Sequence, residues 1–173
     1  MTLTPIMQTN SALPPGFPRE ISREQMAALP VRRYEGEVML IATRRELERA
    51  VEDIGQESMV GWDTETRPAF RKGEVHLPSL VQVATARAVY LFQLQKMDLS
   101  AEVAGFFAAP GIVKVGISVK DDLRQLQMVI ALEPASVLDA GKVARRHGLE
   151  QTGLRNLAGI FLGFRVPKGT KTS

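Results

Sequence analysis

Three carboxylates are placed where they could do chemistry together. Asp63 and Glu65 lie two apart in Met59-Val-Gly-Trp-Asp-Thr-Glu65, at the end of an apolar run that reads as a buried strand. Side chains two apart on a strand point to the same face, so the two acids are expected side by side. Their mutual repulsion calls for positive charge, and hard divalent cations with oxygen ligands are the usual answer. A third acid, Asp122, opens the helix that follows the strand-like run at 112–115. If that strand neighbours the first, all three converge. Such a cluster suits phosphodiester hydrolysis, in which two cations about 3.5–4 Å apart activate a water and stabilise the leaving oxygen. A plainer reading stands beside this one: D-x-E is a common pair, and Asp122 also favours a helix N-terminus through the macrodipole. Spacing alone leaves both open.

Cations and aromatics nearby invite the same double reading. Arg67, Arg71 and Lys72 follow the acidic pair directly and could neutralise substrate phosphates without reading bases, or simply form a solvated loop. Phe70 could stack on a terminal base. Lys168 and Lys171 could edge a substrate cleft. Arg145, Arg146 and His147 end an expected helix, where cations favour the C-terminal dipole. Asp139 precedes that helix and reads as its N-cap. His76 and His147, the only histidines, have no partners at ligand spacing, and the chain has no cysteine. Thiolate zinc sites, disulfides and cysteine nucleophiles are thereby excluded.

The elements that position the acids follow from periodicity. Residues 1–20 carry Pro5, Pro14, Pro15, Gly16 and Pro18 among small polar residues, the composition of a flexible arm. Ser22–Gln25 and Thr43–Glu46 are capping-box patterns, the second opening a helix whose buried face is Leu47, Ala50, Val51 and Ile54. Strands are expected at 38–41, 59–62, 80–85 and 88–92, the last two joined by Ala86-Arg87 as an antiparallel hairpin. Helical and strand periods then alternate: helices near 99–108, 119–130, 140–147 and 153–162, strands at 112–115 and 136–138. The fold class expected is α/β, a mixed five-stranded sheet of three antiparallel strands followed by α/β units, flanked by helices. With 173 residues, 45% of them hydrophobic, one domain with a real core is the natural outcome. No run approaches the ~18 apolar residues of a membrane span, and the N-terminus lacks a secretory pattern, so a cytoplasmic chain with no membrane partner is expected. The formal charge of +3 is compatible with a polyanionic partner but weak evidence for one.

Longer motifs sharpen this. Val60-Gly-Trp-Asp-Thr-Glu-Thr-Arg-Pro-Ala-Phe70 and Leu80-Val-Gln-Val-Ala-Thr85 closely resemble the first motif and following strand of DEDD-type 3′→5′ exonucleases, above all the domain type of the Werner-syndrome helicase and, more distantly, ribonuclease D. Val113-Lys-Val-Gly-Ile-Ser-Val-Lys-Asp-Asp-Leu-Arg-Gln-Leu126 looks like the second motif. Leu138-Asp-Ala-Gly, Gly153-Leu-Arg-Asn-Leu157 and Gly163-Phe-Arg-Val-Pro-Lys168 resemble the approach to the third. The similarity runs from about residue 35 to 173, with 21–34 as a lead-in.

The resemblance implies a ribonuclease-H-like fold and two-metal hydrolysis with Mg²⁺ or Mn²⁺, releasing nucleoside 5′-monophosphates from the 3′ end of single-stranded or 3′-recessed DNA or RNA. It makes Asp63 the carboxylate shared by both ions, Glu65 a ligand on the side of the attacking water, and Asp122 the ligand on the leaving-group side. Asp122 is preferred over Asp121 because an apolar helical face, Leu123 and Leu126, follows it. Thr64 would use its backbone near the terminal nucleotide. The tyrosine-bearing subclass carries a Tyr and a last Asp on a helix past the Lys168 region. Here the chain ends at Ser173, and Tyr34 and Tyr90 lie in other segments. The expectation is therefore a domain at 21–173 that is incomplete at its C-terminus, with catalysis slowed on the order of 10²–10⁴-fold by loss of the acid–base group. The rival expectation is a catalytically inactive module binding nucleic acid or protein on the same scaffold.

Overall fold

A computed structural model describes residues 13–66 and 76–167. After α1 (Arg23–Ala28) come β1 (Glu37–Ile41), α2 (Arg44–Gly55), β2 (Met59–Thr66), β3 (Pro78–Ala84) and β4 (Ala88–Gln93). The second half alternates α3 (Ser100–Ala108), β5 (Val113–Gly116), α4 (Lys120–Gln127), β6 (Val137–Asp139), α5 (Ala140–Arg146) and α6 (Leu154–Leu162). The strands form one sheet in the order β1-β4-β3-β2-β5-β6. β2, β3 and β4 run antiparallel to their neighbours in that trio, whereas β1 lies parallel to β4, β5 to β2 and β6 to β5.

The expected five-stranded sheet is thus corrected to one of six strands. All six strand-like runs join this sheet, and the edge strand beside β4 is β1. Met39 and Ile41 give it an inner side that packs on the core, so it gains by joining the edge beside β4. The rest of the expected class, an antiparallel trio followed by α/β units, is what forms.

One sheet face carries the core. Val60 and Trp62 of β2, Val81 and Val83 of β3 and Tyr90 and Phe92 of β4 alternate inward. Against them α2 lays Leu47, Ala50 and Ile54, α3 lays Val103 and Phe107, and α4 lays Leu126. Trp62 meets Phe107 edge-on at 4.9 Å between ring centroids, a favoured aromatic geometry that fixes where β2 sits against α3. Both capping boxes form: Ser22 with Gln25 at α1, Thr43 with Glu46 at α2.

The other face is differently built. Strand register places Val38, Val89, Ala84, Gly61, Val115 and Leu138 in one row across all six strands. Cross-strand partners share a face, so this row is apolar from edge to edge. α5 and α6 stand over its β5–β6 end across a cleft of about 960 Å³ whose lining includes Gly61, Ala84, Val115, Leu157 and Phe161. Toward β1 nothing among the described residues covers it: Val38 is 54% and Leu40 44% exposed. Of the proline-rich segment, Phe17 rests against Phe161 at 5.2 Å and Arg19 donates to the His147 carbonyl, so residues 13–20 lie along α5 and α6.

Candidate active site

Alternation along β2 sends Val60, Trp62 and Thr64 inward and leaves Asp63 and Glu65 together on the other face, as the spacing predicts. The strand register shifts between Glu65 and Thr66, so regular pairing with β3 ends just past the acids. β5 runs parallel to β2, the neighbour relation needed to bring Asp122 close. The turn from β5 into α4 is tightly specified. Gly116 stands where a Cβ would come within 2.3 Å of Val119 Cγ1 and 3.0 Å of the Trp62 carbonyl oxygen. Ser118 adopts a left-handed φ of 59°, and its amide donates to Asp139 Oδ1 at 3.3 Å. The same Asp139 oxygen caps α5 by accepting from the Lys142 amide at 3.1 Å, the N-cap role read from its position.

α4 therefore starts against β2, with Asp121 and Asp122 in its first turn. Asp121 is exposed; Asp122 is half-buried. The Thr64 hydroxyl donates to Asp122 Oδ1 at 2.8 Å, and the Thr64 amide donates to Asp63 Oδ1 at 3.0 Å. One residue thus holds a carboxylate on either side of the strand. Sequence reasoning assigned Thr64 only a backbone role toward substrate and missed the hydroxyl. The one available signal was a polar residue on an inner face otherwise filled by Val60 and Trp62.

The three charges feel one another. Burial pushes the Asp63 carboxyl above its ordinary range and the Asp122 charge raises it further, against the opposing Thr64 amide. Glu65 is raised by burial first, then by Asp63 and Asp122. Two acids that resist ionisation beside a third are the electrostatic complement of a divalent cation, and every donor is a hard oxygen. The donor chemistry fits Mg²⁺ or Mn²⁺. Among the described residues, however, no three acidic or histidine side chains gather closely enough to form a preassembled cage. Asp122 leans on the Thr64 hydroxyl at the inner edge of β2, whereas Asp63 and Glu65 occupy its outer face. Arg67, Phe70, Arg71, Lys72, Lys168 and Lys171 fall outside the described residues.

The sequence from residue 38 to 173 matches the family model of the 3′-5′ exonuclease domain. The chain belongs to that family. As a 3′-5′ exonuclease domain it sits among nuclease hydrolases at the family level, and solved structures show the same fold. The EXO domain of Aedes aegypti Nibbler superposes with a TM-score of 0.69 at 22% identity, covering 84% of this chain and 78% of that one. The catalytic core of Trypanosoma brucei RRP6 gives 0.68 at 20% identity, over 88% of this chain and 43% of that one. Escherichia coli RNase D, an exoribonuclease involved in structured RNA processing, gives 0.67 at 18% identity, over 79% of this chain and 36% of that one. The exonuclease domain thus spans under half the length of the RRP6 and RNase D structures it resembles. No curated protein matches the chain.

Proposed function

We propose that this domain removes nucleotides one at a time from the 3′ end of a nucleic acid in a reaction that depends on divalent metal. The observation that carries the reading is the trio of Asp63, Glu65 and Asp122: two acids share the outer face of β2, and a third in the first turn of α4 raises the proton affinity of both. Asp63, Glu65 and Asp122 would hold Mg²⁺ or Mn²⁺, which supplies an activated water and charge neutralisation at the leaving oxygen. Water attack at the terminal phosphorus breaks its bond to the 3′ oxygen of the preceding nucleotide. A nucleoside 5′-monophosphate leaves, and the shortened strand keeps a 3′ hydroxyl.

The chain's other residues bind and orient. Arg67, Lys72 and Lys168 neutralise backbone phosphates, which gives affinity without sequence preference. Phe70 stacks on the terminal base. Thr64 keeps the carboxylates aligned, its amide committed to Asp63. The solved complex of Trypanosoma brucei RNase D with RNA, a fold relative at 19% identity, supports a polynucleotide substrate.

The test is trimming of a 5′-labelled oligonucleotide. Incubation with Mn²⁺ yields a ladder shortened from the 3′ end; chelator and Asp63→Ala each abolish it. Oligonucleotide binding with no ladder at high enzyme concentration contradicts hydrolysis by this chain and favours a binding module.

A further inference from the structure

The inner-face position of Thr64 asks for an explanation that packing does not supply. Thr64 is 8% exposed, lies directly opposite Val81, and continues the run of Val60 and Trp62 into the core. Valine has nearly the same shape and the same strand preference, and it fills the neighbouring inner positions Val60, Val81 and Val83. A buried hydroxyl costs free energy unless it is hydrogen-bonded, so threonine is favoured here only if its bond does something. That bond runs 2.8 Å to Asp122 Oδ1, fifty-eight residues away in sequence. Asp122 is half-buried at a helix start that Gly116, Ser118 and Asp139 already fix in place. What the turn leaves free is rotation of the Asp122 side chain, and the Thr64 hydroxyl is the group that restrains it.

We infer that Thr64 is a positioning residue whose hydroxyl orients the Asp122 carboxylate for divalent-cation binding while its amide orients Asp63. The inference rests on the metal-dependent reading of the three acids. It adds a role for the Thr64 side chain that acts through Asp122. Groups that hydrogen-bond a metal-ligating carboxylate set its direction, and their loss typically weakens metal affinity 10–100-fold. The hydroxyl holds Asp122 through Oδ1 alone, so it fixes the direction of the carboxylate by one of its two oxygens.

The experiment is titration of the substrate-free chain with Mn²⁺, followed by electron paramagnetic resonance of the free ion, with melting temperatures recorded for each variant. Thr64→Val removes the hydroxyl and keeps amide and shape; it is expected to bind Mn²⁺ 10–100-fold more weakly. Thr64→Ser restores the hydroxyl and is expected to recover most of that loss, which a purely structural role would not predict. Adding Thr64→Val to Asp122→Asn is expected to cost nothing further, because the hydroxyl acts through that carboxylate. Thr64→Ala serves the same comparison should the valine variant not fold. Wild-type affinity in Thr64→Val, equal weakness in Thr64→Ser, or additive loss in the double variant overturns the positioning role while leaving the metal site standing. Wild-type chain whose Mn²⁺ binding is absent, or indifferent to Asp63→Asn, overturns the metal site itself and the role of Thr64 with it.

Discussion

Asp63 and Glu65 sit in surroundings that disfavour their charged forms, through burial first and then through neighbouring carboxylates. Both carboxyls have folded-state proton affinities above their ordinary values, so folding favours their protonated forms. That preference contributes stability below the ordinary value of 3.8 for Asp63 and loses it as pH rises through the raised folded value. Asp63→Asn should therefore raise the metal-free melting temperature at pH 7, and the gain should vanish in acid; calorimetry across pH checks it. The remote cluster at Asp53 has the opposite sign. Burial would raise Asp53, but the Thr85 and Tyr90 hydroxyls and the Arg87 guanidinium hold it below the usual range. Tyr90, its phenol pushed up to about 12, donates to Asp53 at 2.9 Å and is nearly fully buried. Tyr90→Phe should cost roughly 1.5–3 kcal/mol by denaturant unfolding, the range for a hydrogen bond to a charged group. At this scale the sequence disclosed what alternation controls, the shared face of Asp63 and Glu65. The Thr64 bond to Asp122 escaped it, because no local pattern encodes which acceptor a hydroxyl will find after folding.

Elements whose signals are local were legible. The two capping boxes sit within four residues each, and the β3–β4 hairpin turns on Thr85–Ala88, closed by the Thr85 amide donating to the Ala88 carbonyl at 2.9 Å. The place of β1 in the sheet was not, since it finds its parallel partner β4 only after α2, β2 and β3 have intervened. Likewise the helix expected to reach residue 130 stops at Gln127, although Ile130 is still buried. Its apolar spacing was real, but the packing it reported outlasts the helix. The most exacting element boundary is the β5–α4 turn. Gly116→Ala would drive a methyl against Val119 and the Trp62 carbonyl, and overpacking of that kind costs about 1–3 kcal/mol. In a domain of this size each kcal/mol lowers the melting temperature by about 2–4 °C, and because α4 carries Asp122, Mn²⁺ affinity should fall with it.

At the scale of the whole molecule, the described residues cover one face of the sheet with helices and the other only at its β5–β6 end. The core face is sealed by α2, α3 and α4, whereas the row from Val38 through Val89 and Ala84 to Gly61 ends in a cleft beside Asp63. Contiguous exposed apolar surface of this kind marks an interaction site or a tendency to associate. The chain should enhance the fluorescence of a hydrophobic dye and self-associate as concentration rises, and Val38→Lys with Leu40→Lys should reduce both with little change in melting temperature. Unchanged dye binding in that variant would place the sticky surface elsewhere. The account as a whole depends on three acids from two separate motifs serving one cation site. Calorimetric titration of Mn²⁺ into the wild-type chain, Asp63→Asn, Asp122→Asn and Asp121→Asn tests this most directly. Saturable binding sharply weakened in the first two variants and kept in the third is the predicted result; wild-type affinity in Asp122→Asn, or equal weakening in Asp121→Asn, contradicts it.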